Sequence, residues 1–172
     1  LKGFSVCLVH QRFDFALLSF DQIINTLAKW KFMFNQNDKT SIVIRMIIGR
    51  GWGQGPTHSQ SYHSFLTSIP GLDVFYPTSP LHAYLTIKKG MQSRNPTIML
   101  EHRWLHNTSQ IIENFDEKDL KLESLQILEE GSEISIFTYG YMVPEVLKAS
   151  KYLKQFGINL EIIIFEKLNN TD

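Results

Sequence analysis

With a single cysteine in 172 residues, the chain can form neither an internal disulfide nor a cysteine-based zinc site, which suits a reducing, cytosol-like compartment. Net charge is equally scarce. Lys plus Arg equal Asp plus Glu at 17 each and no basic run occurs, so nothing electrostatic points to a nucleic-acid partner. No apolar stretch approaches the roughly 20 residues that span a bilayer, and no membrane partner is expected. The most apolar segments, 42–48 and 158–165, have strand length and read as buried strands. An initiator methionine is missing, and the first residues do not read as a secretory signal. Leu1 opens partway into an element and Asp172 ends without a cap or tail, so the chain reads as a fragment. Cys7 sits in the apolar run 4–9 and is expected to be a buried small hydrophobe.

What is present is the balance of an ordinary globular protein: 43% hydrophobic and 20% charged residues, enough for one or two domains. Residues 4–9 read as a strand. Phe20, Ile23, Ile24, Leu27, Trp30 and Phe34 then recur at helical spacing with polar residues between them, which predicts an amphipathic helix. After a polar turn over 35–40, the β-branched run 42–48 has the character of a central parallel strand. A glycine-rich loop follows over 49–56, then a short helix over 59–68 stopped by Pro70-Gly71, and a strand over 72–76. Ser79 is placed as a helix cap with Pro80 in the first helical position. That helix should run to about Gly90, with a strand over 96–101. Alternation of this kind indicates an α/β fold with a parallel sheet.

Residues 108–130 are polar, acid-rich and weakly periodic, and read as a linker with one strand near 125–128. The alternation then restarts. A strand over 133–138 precedes a helix over 142–156 with Val143, Val146, Leu147, Ser150 and Leu153 on one face. Gly157 is placed to end it, and a strand over 160–165 follows.

The most unusual segment is GRGWGQGPTHSQS, residues 49–61. Glycines at alternate positions open the backbone to close approach by a ligand or another chain. The loop follows a buried strand and so lies at the carboxyl end of a parallel sheet, where ligands bind in open α/β folds. His58 could there donate a hydrogen bond or transfer a proton near neutral pH; equally, it could merely cap a helix. No Gly-Lys-Ser/Thr follows, so the loop is not a phosphate loop. Phe15 alone reads as core and Gln11 alone as surface. His10, His63, His82, His102 and His106 have no metal-ligand spacing and are expected at the surface or an interface.

At this loop the chain resembles the beta subunits of thiamine-diphosphate-dependent 2-oxo acid dehydrogenases, of the pyruvate or branched-chain type, and GPTH recurs across the wider transketolase superfamily. QRFDFALLSFDQIIN (11–25), IPGLDVFYPTSPLHA (69–83), NPTIMLEHRWLHN (95–107) and GSEISIFTYG (131–140) resemble further family segments in the same order. The resemblance implies a transketolase-like pyrimidine-binding domain over 1–108 with its amino-terminal part missing, a linker over 109–130, and the truncated start of a transketolase C-terminal-like α/β domain over 131–172. In such enzymes thiamine diphosphate binds between two chains. An alpha subunit carries a GDG motif for the diphosphate and Mg2+. No GDG occurs here, so this chain would supply only the aminopyrimidine half. Phe15 falls where the family sets an aromatic ring against the pyrimidine, Gln11 where the same pocket is lined, and His58 matches the active-site histidine near the reactive end. Ile42, Gly90, Met91, Ser93 and Asn95 correspond to a loop that holds a structural K+ in some relatives, largely through backbone carbonyls.

The implied activity is oxidative decarboxylation of a 2-oxo acid with acyl transfer to lipoamide. The implied partners are the alpha subunit, a second beta subunit and a lipoyl acyltransferase core, in an alpha2-beta2 assembly. The setting would be the cytoplasm, or a mitochondrial matrix or other organelle in a eukaryote. Trp30, Phe32, Phe34, Trp52 and Trp104 exceed what a small core needs, and some are expected to face partner chains. One departure stands out: the family's catalytic glutamate lies upstream of the strand that opens this chain. Glu101 and Glu113 are wrongly placed to replace it, so the fragment alone is expected to be inactive. The alternatives are a transketolase-like or sugar-linked thiamine enzyme subunit, and a catalytically incomplete assembly subunit.

Overall fold

The computed structural model describes residues 4–35, 40–51, 53–112 and 121–169. Two sheets organise them. In the first, β1 (Val6–His10), β2 (Ile42–Ile48), β3 (Asp73–Phe75) and β4 (Thr97–His102) run in the order β1-β2-β4-β3. All three pairings are parallel, with Val6 opposite Ile42 and Val43 opposite Thr97. Strands β2 and β4 are central, which explains their β-branched, almost uninterrupted apolar sequences. Ile44, Met46, Ile98 and Leu100 are fully or almost fully buried in one core with Phe13, Ala16, Ile23, Leu66, Leu72 and Tyr76, and Val43 is fully buried as well.

The edge strand β1 departs from expectation. Cys7, expected in the core, is exposed, as are Val6, Leu8 and Val9. The edge position explains this: among the described residues β1 has a strand neighbour on one side only.

The helix expected through residues 20–34 is built from unlike turns. A short helix α1 (Phe13–Ala16) and a 3-10 turn (Leu17–Ser19) lead into a π-helical stretch (Gln22–Leu27) and then α2 (Trp30–Met33). The amide of Ala28 donates to the Ile23 carbonyl (2.9 Å), five residues back. The β-branched Ile23, Ile24 and Thr26 at this turn weaken the ordinary α preference. The backbone of Gly71 also packs directly on Ala28: a Cβ at Gly71 would stand 2.1 Å from that carbonyl oxygen. The widened turn carries the apolar stripe out of register, so Ile23 and Ala28 are buried whereas Phe32 is 91% exposed.

The helix α4 (Pro80–Gly90) begins as its sequence dictates, with the Ser79 hydroxyl accepting from the His82 amide and Pro80 in the first turn. It returns the chain to β4.

The second sheet has the order β5-β7-β6, formed by β5 (Leu125–Glu129), β6 (Ile134–Thr138) and β7 (Leu160–Phe165). Strands β6 and β7 are parallel and joined by α5 (Met142–Lys154); β5 lies antiparallel to β7. The strand expected inside the linker therefore pairs into this sheet. Its neighbour β7 alternates Leu160, Ile162 and Ile164 inward against Val143, Val146, Leu147 and Leu153 of α5. Ser150, on the same helix face, is fully buried and donates to Glu129 Oε2 (2.7 Å).

The segment after β7 runs back along β3. The Tyr76 amide donates to the Glu166 carbonyl (2.8 Å) and the Leu168 amide to the Val74 carbonyl (2.8 Å). The Asn169 side chain accepts from the Val74 amide and donates to the Leu72 carbonyl. Among the described residues no helix is long and apolar enough to cross a membrane.

Candidate active site

Parallel strands present their carboxyl ends together, and the turns leaving those ends build the binding face of an open α/β sheet. Three turns do so here. After β1 come Gln11, Arg12 and, in α1, Phe15; after β2 come Gln54 and His58; after β4 comes Arg103. Together with Ile47 of β2 these residues line one cleft of about 540 Å³. Gln11, Phe15 and His58, singled out from the sequence, are thus brought to one place.

The Phe15 ring is 52% exposed, so it is a wall of the cleft rather than core. His58 meets it edge-on, with ring centroids 5.3 Å apart and planes at 81°. The histidine closes a 3-10 turn (Pro56–His58) that starts at Gly55, where φ is +73°. Thr57 Oγ1 lies 3.0 Å from His58 Nδ1. Just beyond, the helix expected from residue 59 begins only at His63, as α3 (His63–Thr67). The delay has a local cause: Gln60 donates from its side chain to Asp14 Oδ1 (2.7 Å), and its amide points to the same oxygen (3.4 Å). This tie joins α1 to the glycine-rich loop and fixes Phe15 relative to His58.

Arg12 donates from Nε to Gln54 Oε1 (3.1 Å) and from Nη2 to the same oxygen, which closes the loop over the other side of the cleft. Arg103 points Nη1 at His106 Nδ1 (3.4 Å), and His106 Nε2 lies 3.2 Å from Glu101 Oε2. Glu101 is buried and pairs with Arg45, whose Nη2 donates to Oε2 (2.8 Å) and whose Nε donates to Oε1. The hydrogen bond to Glu101 raises the Arg45 pKa above its ordinary value, against the opposing effect of burial. Glu101 thus stands behind the cleft and not in it, and Glu113 lies outside the described residues. Among the described residues no carboxylate lines the cleft.

The sequence reading missed Arg12, Gln54 and Arg103. A signal was present: each follows a strand's carboxyl end, and Arg103 sits inside the EHRWL segment.

Aromatic side chains brace the loop from the far side. Gly49 lies so close to the His102 ring that a Cβ there would stand 2.3 Å from Nε2. That ring stacks on Tyr141 at 4.7 Å and meets Trp104 at 5.3 Å. His82 and His102, expected at the surface or an interface, are buried. Each fills a tertiary contact, His82 on Glu166 (3.0 Å) and His102 on Tyr141. Burial lowers the pKa of His102, and neighbouring His106 lowers it further. Trp104 is 45% exposed; Trp52 lies outside the described residues.

Ile42, Gly90, Met91, Ser93 and Asn95 gather at the opposite, amino ends of β2 and β4. A Cβ on Gly90 would stand 2.9 Å from the Val43 side chain. The Ser93 amide donates to the Gly90 carbonyl (3.1 Å), and the Asn95 amide to Ser93 Oγ (3.1 Å). Among the described residues no group of three or more His, Cys, Asp or Glu side chains is placed to hold a metal ion.

Known proteins share this architecture. In solved structures, a chain described as a split-gene transketolase, inactive beta4 tetramer, superposes with a TM-score of 0.73 at 22% identity, covering 97% of this chain and 51% of that one. The transketolase of Campylobacter jejuni gives 0.72 at 13% identity over 96% of this chain and 25% of its own. These likenesses speak for the fold alone. Curated sequences are nearer. The pyruvate dehydrogenase E1 component subunit beta of Staurastrum punctulatum is 36% identical over 92% of this chain and 48% of its own length. The acetoin:2,6-dichlorophenolindophenol oxidoreductase subunit beta of Cupriavidus necator is 32% identical over 92% and 47%. The mitochondrial pyruvate dehydrogenase E1 subunit beta of Saccharomyces cerevisiae is 31% identical over 100% and 48%. This chain thus spans about half the length of the curated relatives it matches. The family model described as "Transketolase, pyrimidine binding domain" matches residues 1–108, and the chain belongs to that family.

Proposed function

We propose that this chain is the pyrimidine-binding portion of a 2-oxo acid dehydrogenase beta subunit. It would act with an alpha subunit carrying the GDG motif for diphosphate and Mg2+, a second beta subunit, and a lipoyl acyltransferase core. The observation that carries this reading is the convergence of Gln11, Phe15 and His58 on one cleft at the sheet's carboxyl ends. Identity above 30% to pyruvate dehydrogenase and acetoin oxidoreductase beta subunits supports it; the transketolase structures, at 22% identity or less, favour ketol transfer only weakly.

The cleft's own chemistry fits an aminopyrimidine. A half-exposed aromatic ring offers a stacking surface, and an exposed amide, Gln11, can both donate and accept. Bound thiamine diphosphate supplies the electron sink for decarboxylation. Phe15 would seat the pyrimidine, Gln11 would orient its polar edge, and the wall formed by Phe15 and Ile47 would keep water off it. With Nδ1 of His58 engaged by Thr57, Nε2 is the nitrogen left to hold or deliver a proton at the reacting end. The proton-managing carboxylate that this family uses is not among the residues lining the cleft, so the function belongs to the assembled complex. The exposed rings of Phe32, Phe34 and Trp104 suit partner contacts. Ile42, Gly90, Met91, Ser93 and Asn95 would hold K+ through carbonyl oxygens. The compartment would be the cytoplasm or an organelle matrix; two relatives are described as mitochondrial and chloroplastic.

The test is the full-length subunit co-expressed with its alpha partner and supplied with thiamine diphosphate and Mg2+. Reduction of an artificial electron acceptor is followed with pyruvate, branched-chain 2-oxo acids, 2-oxoglutarate and acetoin in turn. Turnover with a 2-oxo acid is expected, falling on the order of 100-fold or more in His58→Ala. An assembled complex that turns over none of the acids would sink the reading and leave sugar-linked thiamine chemistry or an assembly role.

A further inference from the structure

The glycine-rich loop carries His58, and it is held by contacts of two kinds. Gln54 is tied to Arg12 and Gln60 to Asp14, both in the turn after β1. The start of the loop lies instead on rings. A Cβ at Gly49 would stand 2.3 Å from His102 Nε2, and one at Gly51 2.5 Å from Trp104 Cζ2, whereas one at Gly53 or Gly55 would meet nothing within 4 Å. Backbone at 49 and 51 therefore packs directly on those two side chains, an approach that only glycine permits.

The rings belong to a platform that spans both sheets. His102 ends β4 and Trp104 follows it, with centroids 5.3 Å apart, and the Trp104 amide donates to His102 Nδ1 (3.3 Å). Tyr141 comes from the turn between β6 and α5. Its ring stacks on His102 at 4.7 Å, with 18° between the planes, and meets Trp104 at 4.7 Å and 70°. Aromatic pairs favour such offset and edge-on geometries over others. Tyr141 is itself fixed twice: its hydroxyl donates to Glu145 Oε1 (3.1 Å), and its backbone hydrogen-bonds the side chain of buried Tyr76.

We propose that His102, Trp104 and Tyr141 are positioning residues for His58. The ring platform sets the path of the glycine-rich loop, so a side chain of the second sheet governs where the histidine meets Phe15. The part of His58 in proton transfer rests on the function proposed above; the hold of the platform on the loop does not.

Two readouts on the assembled full-length complex separate these claims. The first is amide hydrogen exchange over residues 49–61, which needs no turnover. Tyr141→Ala removes the ring and is expected to speed exchange of the loop about tenfold or more, with β2 and β4 protected as in wild type. Tyr141→Phe keeps the ring and should leave most of the protection in place. The second readout is kcat and KM with the best 2-oxo acid. Tyr141→Ala should lower kcat about tenfold and move KM by about twofold or less, since displacing a positioned group by roughly 1 Å costs on the order of 100-fold. Tyr141→Phe should restore most of that loss. In a His58→Ala background Tyr141→Ala should cost about twofold or less, because residues that act through one step are not additive. If Tyr141→Ala does not assemble, Tyr141→Leu, which fills the space without a ring to stack, carries both measurements with the same expected direction. Loop exchange unchanged in the Ala or Leu variant overturns the platform. Faster exchange with an equal fall of kcat in the wild-type and His58→Ala backgrounds overturns the route through His58. Faster exchange in a complex that turns over no 2-oxo acid upholds the platform and overturns the dehydrogenase reading instead.

Discussion

At the scale of single residues, the histidines differ most from their sequence reading, and they give the chain a pH dependence. His63 packs between Tyr76 and Tyr139, with ring centroids 6.5 and 5.8 Å away. Its Nδ1 is buried without a partner, and burial lowers its pKa below the ordinary 6.5. Burial acts in the same direction on His10 and, as the larger cause, on His102. The unfolded chain therefore takes up protons at a higher pH than the folded one. Stability from these neutral rings is fully present above 6.5 and is lost as the pH falls through the folded values. The melting temperature of the full-length subunit should drop on acidification from about pH 7.5 to 5.5, and His63→Phe should flatten part of that slope. Identical slopes in the two proteins would remove His63 from the account. The same residues mark what the sequence hides. Gln11 and Phe15 became candidates only through motif resemblance, because an amide or an aromatic in isolation reads as surface or core, whereas the place of His58 on the glycine-rich loop left a proton-transfer role and a helix cap equally open. Arg12 and Arg103 needed the sheet, since 91 positions of chain separate them and only parallel strand order brings their turns together.

At the scale of elements, what was legible depended on how local the cause was. α4 and α5 follow from their own sequences: Ser79 and Pro80 start one, Gly157 at φ +76° ends the other. Strands β2 and β7 follow from apolar runs. The π-helical turn at Gln22–Leu27 was not legible, because it is set by the approach of Gly71 from 43 positions beyond Ala28. The late start of α3 was hidden for the same kind of reason, the pull of Asp14 on Gln60. The strand near 125–128 was legible, but its place in the second sheet shows only in its antiparallel pairing with β7. The α4–β4 connection carries the element-scale prediction. Here Ile42 and the 90–95 turn sit together at the sheet's amino ends, and carbonyl oxygens there would hold K+. In KCl the full-length subunit should melt higher than in choline chloride at equal ionic strength. Saturation at a hundred times Kd adds about 2.7 kcal/mol, several degrees for a domain of this size. Equal melting in the two salts would reduce these residues to an ordinary turn.

At the scale of the whole molecule, two sheets that each bury their own core are joined by polar contacts as well as by aromatic ones. Glu166, 2% exposed, follows β7 and reaches into the first sheet's loop. Its carboxylate accepts from the Thr78 amide (3.1 Å) and the Thr78 hydroxyl, and lies 3.0 Å from His82 Nδ1. His82 Nε2 in turn lies 3.3 Å from the Glu123 carbonyl, just before β5. Lys167 pairs with Asp73 (2.9 Å), and Asn169 extends the pairing along β3. The junction thus combines directional polar contacts, centred on buried Glu166, His82 and Asn169, with the rings of Tyr139 and Tyr141 against Tyr76 and His102, and leaving a buried polar member unmet is costly. Glu166→Ala would strip the Thr78 amide and His82 of their acceptor at once, a loss of about 3–5 kcal/mol. Glu166→Gln keeps an acceptor oxygen for Thr78 and should lose less. Denaturant unfolding of the full-length subunit measures both. The order wild type, Gln, Ala is expected, together with a broadened transition in the Ala variant as the sheets begin to unfold separately. If both variants stay within about 0.5 kcal/mol of wild type, as surface substitutions do, the sheets are held by apolar packing, and the buried carboxylate must be explained by something other than stability. In that case the His82–Glu166–Thr78 cluster would have to be sought at a surface completed by another chain.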